Sequence, residues 1–237
     1  MSGPFLLVHG AWHGGWCWDA VVGRLQLAGR QAIAPTLPGC AERADELSPK
    51  IGLETFITEL GDILEAQDLT EVVLVGHSAA GAIVPAVAAR NARRIRHLVC
   101  LDSHMPQDGE ALFDVMAPDA AESRRAAAVA HDGGLSVPPP EPEALGVTDP
   151  VDAAFITRMM TPHPIRAFAD PMHLQGEIPA SMLKTYIRVT DPLYLPAANS
   201  VARVRAMPDW SYLEIATGHD AMISDADSLT EMLLALK

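Results

Sequence analysis

A serine in a tight turn of small residues is the first group in the sequence that could do chemistry. It lies at the centre of GHSAAG, residues 76–81, which follows the run EVVLV and precedes the alanine-rich segment AIVPAVAA. A strand, a sharp turn and a helix in this order hold the central side chain in a strained conformation, so Gly76 and Ala80 must be small where the chain passes close to itself. The pattern predicts that Ser78 is a nucleophile. The alternative, a serine that only caps the following helix, does not account for the small flanking residues.

Acyl transfer through such a serine needs N–H donors for the oxyanion of a tetrahedral intermediate. Each donor lowers the barrier by about 3 to 4 kcal/mol. One donor is expected to be the backbone N–H of Ala79, directly after the serine. The other is expected from the loop after the first apolar run, where the sequence is LLVHGAWHGGWCW, residues 6–18.

The general base has to be chosen from nine histidines. His219 follows the last apolar run, where a loop at the carboxyl edge of a parallel sheet can reach Ser78, and we predict that it is the base. The other histidines lie in the glycine-rich loop, in the serine turn, in a strand, or in the long segment after the fourth apolar run and at its edge: His9, His13, His77, His97, His104, His131, His163 and His173.

Short apolar runs alternate with helix-length segments along the chain. The runs are residues 5–8, 31–35, 71–76, 96–102, 185–189 and 211–216, and the candidate helices are residues 18–28, 53–67, 79–90, 197–207 and 225–236. A parallel crossover needs a helix between each pair of strands. The alternation therefore predicts an α/β fold, with a six-stranded, mainly parallel sheet and helices on both faces.

Residues 105–183 break this alternation. The segment contains SVPPPEPEALG together with many large apolar side chains: Phe113, Met116, Phe155, Met159, Met160, Phe168 and Met172. A compact sheet does not need so long a connection. We predict a helical lid over residues 105–183, inserted into a core of residues 1–104 and 184–237. A disordered acidic linker is the alternative, but linkers seldom hold so many large apolar residues.

Three motifs together resemble the α/β-hydrolase superfamily. They are the loop HGAWHGGWCW (residues 9–18), GHSAAG, and TGHDAM (residues 217–222). Within the superfamily the likeness is to the branch of plant methyl-ester esterases and hydroxynitrile lyases, which carry the same H-G-A-x-H-G-x-W-x-W signature. It runs from Phe5 to Leu236 and is loose across the lid. The resemblance implies the α/β-hydrolase fold, the chain order serine, acid, histidine, and a second oxyanion donor at Ala11.

The same resemblance separates two activities within the branch. The lyases place a threonine directly after the first histidine of the signature and a lysine directly after the catalytic histidine. Here those positions are Gly10 and Asp220. A carboxylate at the second position would disfavour a cyanide leaving group that a lysine would assist, so esterase chemistry is favoured.

The triad acid has two candidates. The resembling enzymes usually take it from the loop after the fifth apolar run, four residues before a proline, but in VTDPLYLP (residues 189–196) Pro192 occupies that place. Asp191 stands one residue early, and Pro192 restricts it to extended conformations. Asp102 ends the buried run LVCLD, and a buried carboxylate needs a partner such as a histidine N–H. We expect Asp102 to be the acid, with Asp191 as the alternative acid and a capping role as the alternative for Asp102.

These residues predict a serine hydrolase that cleaves a small to medium carboxylic ester through an acyl-enzyme. Side chains near the oxyanion loop and in the lid are expected to form an apolar substrate pocket: Trp12, Met105, Phe113, Phe155 and Met159. A role in the core alone is open for the methionines. Other chemistry on the same fold also stays open, namely a lyase, lactonase, thioesterase or carbon–carbon hydrolase, or a ligand-binding protein without turnover.

Composition narrows the range of partners and locations. A formal charge of −13 disfavours nucleic acids and anionic membranes, and no apolar run approaches the roughly 18 residues of a membrane span. Cys17, Cys40 and Cys100 show no C-x-x-C spacing, so we expect no disulfide framework, metal or cofactor. The amino-terminal segment has no basic region before its apolar residues, which favours a cytoplasmic protein. The expected partner is a small ester, and by the resemblance alone a homodimer would be unsurprising.

Overall fold

A single parallel sheet forms the centre of the molecule in the computed structural model, which describes residues 3–236. Six strands lie in the order β2-β1-β3-β4-β7-β8, and every neighbouring pair is parallel. Two further strands, β5 and β6, pair as a small antiparallel sheet. The predicted α/β fold with a six-stranded sheet is confirmed. The strands are β1 (Phe5–Val8), β2 (Ala32–Ile33), β3 (Val72–His77), β4 (Ile95–Leu101), β5 (Ser136–Val137), β6 (His163–Pro164), β7 (Leu183–Val189) and β8 (Ser211–Ile215).

The central strands bring their carboxyl ends to one edge of the sheet. All residues of β1 and β3 are buried, as a parallel strand covered on both faces requires. The register pairs Val8 with Gly76 and His77 with Leu101, so the loops that follow β1, β3 and β4 leave the sheet side by side. This edge is where ligands bind in open parallel sheets.

Ten α-helices lie within residues 3–236. They are α1 (Asp19–Leu27), α2 (Leu53–Ala66), α3 (Val84–Arg90), α4 (Leu112–Val115), α5 (Pro118–Asp132), α6 (Pro150–Met159), α7 (Arg166–Ala169), α8 (Ala198–Arg205), α9 (Ala221–Ser224) and α10 (Ala226–Ala235). Helix α1 packs against α10 and α2 packs against α3. In α2 the apolar residues recur at the helical spacing of three and four, and Phe56, Leu60 and Leu64 are buried.

The continuous helix predicted over residues 79–90 is wrong. Residues Ser78–Ala82 form a 3₁₀ turn, and α3 begins only at Val84. Pro85 explains part of the break, because it has no N–H to donate into an α-helix and is tolerated only in the first turn.

The segment between β4 and β7 is ordered and largely helical. It contains α4 to α7 and the two-stranded sheet of β5 and β6, and Phe113, Met116 and Phe168 are buried in the same apolar core as the central sheet. Such packing differs from that of a disordered linker. The division into a core and a lid stays a prediction. Among residues 3–236 no helix combines the length and the apolar character needed to cross a bilayer.

Candidate active site

Ser78 occupies a strained turn at the end of β3. Its backbone φ is +54°, in the left-handed region that costs a non-glycine residue roughly 1 to 2 kcal/mol. The turn is tight enough to exclude side chains: a Cβ on Gly76 would lie 2.6 Å from Val84 Cγ2, and one on Gly81 would lie 1.8 Å from the carbonyl oxygen of His104. The small residues of GHSAAG are therefore required by close packing around the serine.

His219 joins Ser78 to Asp102 through both ring nitrogens. Its Nε2 lies 2.8 Å from Ser78 Oγ, and its Nδ1 lies 2.6 Å from Asp102 Oδ2. A carboxylate only accepts hydrogen bonds, so Nδ1 carries the proton and Nε2 is left to accept the proton of the serine hydroxyl. All three side chains are buried. The arrangement has the geometry of a nucleophile, a general base and an orienting acid.

Asp102 is buried at the end of β4 because both of its carboxylate oxygens have partners. While Oδ2 accepts from His219, Oδ1 accepts a hydrogen bond of 2.5 Å from Arg188 Nη1. Arg188 is itself buried in β7, and its Nη2 donates to the carbonyl of Tyr194 at 3.0 Å. The Asp102 N–H continues the sheet pairing to Ile187, while a φ of +42° turns the chain away from the strand direction.

The alternative acid, Asp191, occupies a different place. It is exposed, and its backbone N–H donates to the carbonyl of Thr217 at 3.2 Å. The carboxylate that contacts His219 within residues 3–236 is that of Asp102. Sequence reasoning missed Arg188, although a charged residue at a buried strand position is a signal that a buried anion lies nearby.

Tyr194 stacks on the imidazole of His219. The ring centroids are 3.5 Å apart and the planes differ by 17°. Burial raises the pKa of Tyr194 to about 12, so its hydroxyl is neutral at physiological pH. Together with the hydrogen bond to Asp102, this contact restricts the rotation of the His219 ring. No motif in the local sequence VTDPLYLP indicates that Tyr194 stacks on His219.

The two backbone amides predicted to bind the oxyanion belong to the segments that follow β3 and β1. Ala79 lies in the first turn of the 3₁₀ segment, where N–H groups have no partner within the helix. Ala11 follows β1, and within residues 3–236 its N–H donates no hydrogen bond. Gly10 lets the two loops approach, because a Cβ there would lie 2.9 Å from Ser78 Cβ. A side chain at Gly10, as in the resembling lyases, would press directly on the serine.

Two histidines hold the carbonyl groups on either side of Ala11. His9 Nδ1 donates to the carbonyl of Gly10 at 2.8 Å, and its Nε2 accepts from the N–H of Leu37 at 3.0 Å. His9 is therefore neutral, and burial lowers its pKa to about 4. His13 Nδ1 donates to the carbonyl of Ala11, also at 2.8 Å. The Gly10 carbonyl belongs to the same peptide group as the Ala11 N–H, and the Ala11 carbonyl belongs to the next. These two hydrogen bonds therefore restrict the orientation of the Ala11 amide.

His13 also forms a buried ion pair with Asp220. Its Nε2 lies 3.0 Å from Asp220 Oδ2, and both side chains are buried. Burial opposes a charge on His13, but the Asp220 carboxylate overrides this effect and raises the pKa of His13. Burial likewise opposes the charge on Asp220, and His13 lowers the pKa of that carboxyl to about 2. The carboxylate that follows His219 in the chain is therefore balanced by His13, and the pair links the loop after β1 to the loop after β8.

We expect His13→Gln to lower the free energy of unfolding by about 3 to 5 kcal/mol, because it leaves the Asp220 carboxylate buried without a cation. The pH dependence has a defined sign. Because the pKa of His13 is raised in the folded state, the stability from the pair is complete below about pH 6.5 and is lost as the pH rises through the folded pKa. Urea unfolding of the wild type at pH 6 and pH 9 measures this loss.

The double variant His13→Gln, Asp220→Asn is the control, since it removes both charges and leaves neither unpaired. Its stability should exceed that of His13→Gln, and the advantage of the wild type over it should shrink from pH 6 to pH 9. An advantage that is constant across this range would contradict a charged His13.

The predicted pocket residues are divided between two aromatic groups. Trp12 and Phe113 lie on either side of Phe168, with ring centroids 6.1 and 5.5 Å from it. Phe155 instead packs edge-on against Trp16 at 5.4 Å. The other two predicted residues are Met105, which is buried, and Met159, which is half-buried. Phe168 lies in the predicted lid and is not among the predicted pocket residues.

Within residues 3–236, one group of side chains has ligand types that could hold a metal ion. The potential ligand atoms of His77, His219 and Asp220 lie within 4.8 Å of one another. However, His77 Nε2 donates to the carbonyl of His219 at 3.0 Å, and both nitrogens of His219 are engaged with Ser78 and Asp102. A metal ion at this place would have to break the hydrogen bonds of the serine and its base, so the donor set does not fit one.

Comparisons with a family model and with known proteins agree on one family. The model of the alpha/beta hydrolase family matches residues 5–231. A carbendazim hydrolyzing esterase of Nocardioides sp. (strain SG-4G) is 32% identical over 240 residues, which cover 98% of each chain. The putative methylesterase 14, chloroplastic, of Arabidopsis thaliana is 25% identical over 247 residues, which cover 98% of this chain and 71% of the relative.

Solved structures show the same fold. An extracellular alpha/beta-hydrolase from a Paenibacillus species has a TM-score of 0.83 and 20% identity, covering 98% of this chain and 97% of that chain. At this identity the likeness is one of fold alone.

Proposed function

The chain belongs to the alpha/beta hydrolase family and is a carboxylic ester hydrolase, and on that premise we propose that Ser78 is its nucleophile, His219 its general base and Asp102 its triad acid. The observation that carries this proposal is the unbroken series of two hydrogen bonds, 2.8 Å from Ser78 Oγ to His219 and 2.6 Å from His219 to Asp102. Both lie within the range for a nucleophile activated by an oriented base.

The reaction proceeds through an acyl-enzyme. Ser78 Oγ attacks the ester carbonyl carbon while His219 Nε2 takes the hydroxyl proton, and Asp102 stabilises the imidazolium that forms. The N–H groups of Ala11 and Ala79 stabilise the oxyanion. The imidazolium then protonates the leaving alcohol, and water, activated by the same histidine, hydrolyses the acyl-enzyme. Arg188 keeps Asp102 in place through Oδ1 and leaves Oδ2 for the base.

The substrate is proposed to be a small to medium ester, and a methyl ester in particular. The support is Trp12, which follows Ala11 and lines a cavity, and whose ring is backed by Phe168, itself stacked on Phe113. The relatives include a putative methylesterase, a methyl jasmonate esterase and the carbendazim hydrolyzing esterase. A methyl leaving group demands little space on the alcohol side, so the size of the acyl group should govern turnover.

Covalent labelling tests the nucleophile directly. A fluorophosphonate should react once per chain, and mass spectrometry of the digested protein should place the phosphonyl group on Ser78. A label on any other residue, or equal labelling of Ser78→Ala, would contradict the proposal. A panel of methyl esters with acyl groups of increasing size, run in parallel, then defines the limit of the pocket.

Two expectations of the sequence analysis stay predictions. A cytoplasmic location agrees with three buried free thiols, Cys17, Cys40 and Cys100, and cell fractionation tests it. The homodimer is tested by sedimentation of the purified chain.

A further inference from the structure

A cavity of about 360 Å³ lies beside Trp12, the residue that follows Ala11. Helix α5 forms one wall with Ala120, Arg124 and Ala127, and residues 137–140 form another. The position of Trp12 is defined, because its φ is +68° and its indole N–H donates to the carbonyl of Val137 at 3.0 Å. The volume is in the range of small-molecule sites.

Arg124 is the charged residue of this otherwise mainly apolar cavity, and it has no acidic partner within residues 3–236. Its guanidinium is half-buried and lies 5.7 Å from the centre of the Trp12 ring. Its two hydrogen bonds are long, 3.4 Å to Tyr194 Oη and 3.5 Å to the carbonyl of Ala120. A guanidinium has five N–H groups, so most of its donor capacity is unused.

The missing partner is informative because carboxylates are in excess in this chain. Asp and Glu number 30 against 17 Lys and Arg, and eight other arginines form ion pairs within residues 3–236: Arg24, Arg43, Arg90, Arg94, Arg166, Arg188, Arg203 and Arg205. Among the arginines that form no ion pair there, Arg124 is the one that lines the cavity beside Trp12. A half-buried cation without an internal anion is expected where an external anion binds.

Arg124 is also connected to the reaction centre. Its Nη2 contacts the hydroxyl of Tyr194, and the ring of Tyr194 stacks on His219. On the other side Trp12 joins the cavity to the oxyanion loop. Tyr194 and Trp12 therefore link the cavity to the elements that carry His219 and Ala11.

We propose that the cavity binds the acyl part of a substrate that carries a second, ionised carboxylate on a flat ring, such as the monomethyl ester of an aromatic dicarboxylic acid. This inference rests on the proposed function. The planar fork of Arg124 matches a carboxylate through two parallel hydrogen bonds, and the Trp12 ring offers a flat face for the ring of the ligand. The local cation is needed because the net charge of −13 repels anions at longer range.

The kinetic test compares methyl benzoate with the monomethyl esters of the three benzenedicarboxylic acids. These isomers place the carboxylate at three distances from the ester, so the preferred isomer reports the distance between Ser78 and Arg124. We expect the wild type to favour one half-ester over methyl benzoate, and Arg124→Met to lower kcat/KM for that half-ester by about 10- to 100-fold while changing methyl benzoate by less than about threefold.

Arg93→Met is the matched control, since it removes the same charge from an exposed position. It should leave the preference for the half-ester unchanged. The proposal is overturned if the wild type shows no preference for any half-ester, or if Arg124→Met lowers the turnover of both kinds of ester equally.

A binding measurement separates this proposal from the catalytic one. Calorimetry with Ser78→Ala and the benzenedicarboxylate dianions should detect binding that is weakened about 10-fold or more in Ser78→Ala, Arg124→Met. If no ester is hydrolysed but this binding is observed, the proposed function fails and the anion site stands. If p-nitrophenyl acetate is hydrolysed in a Ser78-dependent way but no dianion binds, the anion site fails and the proposed function stands.

Discussion

Replacing Ser78 with alanine is expected to lower kcat for p-nitrophenyl acetate by about 10⁵- to 10⁶-fold, the scale of loss when the nucleophile of another serine hydrolase is removed. The reason is that every later step depends on the acyl-enzyme formed at Ser78 Oγ. Residual turnover about 10³- to 10⁴-fold above the reaction in water is expected, since the Ala11 and Ala79 amides can still stabilise an oxyanion. Steady-state release of p-nitrophenolate measures the loss.

The control for this variant is Ser181→Ala, which removes a hydroxyl from an exposed position and should retain wild-type turnover. Folding of both variants is compared by circular dichroism. If Ser78→Ala and the wild type hydrolyse the ester equally slowly, catalysis by Ser78 is wrong.

Asp102→Asn is expected to lower kcat by about 10⁴-fold. Asparagine can present its amide group to His219 Nδ1, which favours the wrong tautomer and leaves Nε2 protonated and unable to accept the serine proton. It also leaves the buried Arg188 without its anion, so the variant is expected to be less stable by about 3 to 5 kcal/mol. The kinetic comparison is therefore made at a temperature where circular dichroism shows the variant to be folded.

Asp191→Asn is the matched control for Asp102→Asn, since it makes the same chemical change in the other candidate acid. It should lower kcat by less than about threefold, because Asp191 is exposed and Asp102 already occupies His219 Nδ1. A larger loss from Asp191→Asn than from Asp102→Asn would reverse the assignment of the acid.

Three of the seven non-glycine residues with positive φ within residues 3–236 lie at the edge of the sheet that carries these groups. Trp12, Ser78 and Asp102 all have positive φ, at +68°, +54° and +42°. Such residues cost roughly 1 to 3 kcal/mol each and persist only where the surrounding packing holds them. Here the parallel pairing of β3 and β4 supplies that packing directly before Ser78 and Asp102, and Trp12 lies four residues after the end of β1. The positive φ values of Trp12, Ser78 and Asp102 thus occur in three loops that leave neighbouring strands.

The sequence by itself determined the sheet, the serine and its histidine. Strand runs and helix-length segments repeat locally, and the small residues around Ser78 mark a turn that few other structures need. His219 was found because its place after the last strand leads to the same edge of the sheet. All of these signals are carried by residues that are close together in the chain or by the regular order of the strands.

Only the tertiary structure decided the partners of those residues. Asp102 and Asp191 both follow strands, and the choice between them depends on Arg188 and on which carboxylate meets His219 in space. The His13 and Asp220 pair joins residues 207 positions apart. No local pattern specifies such contacts, because hydrogen bonds and ion pairs between loops depend on how far apart the folded strands place them. The sequence therefore predicts Ser78 and His219 as the reactive groups, and the packing of the sheet determines which side chains form hydrogen bonds and ion pairs around them.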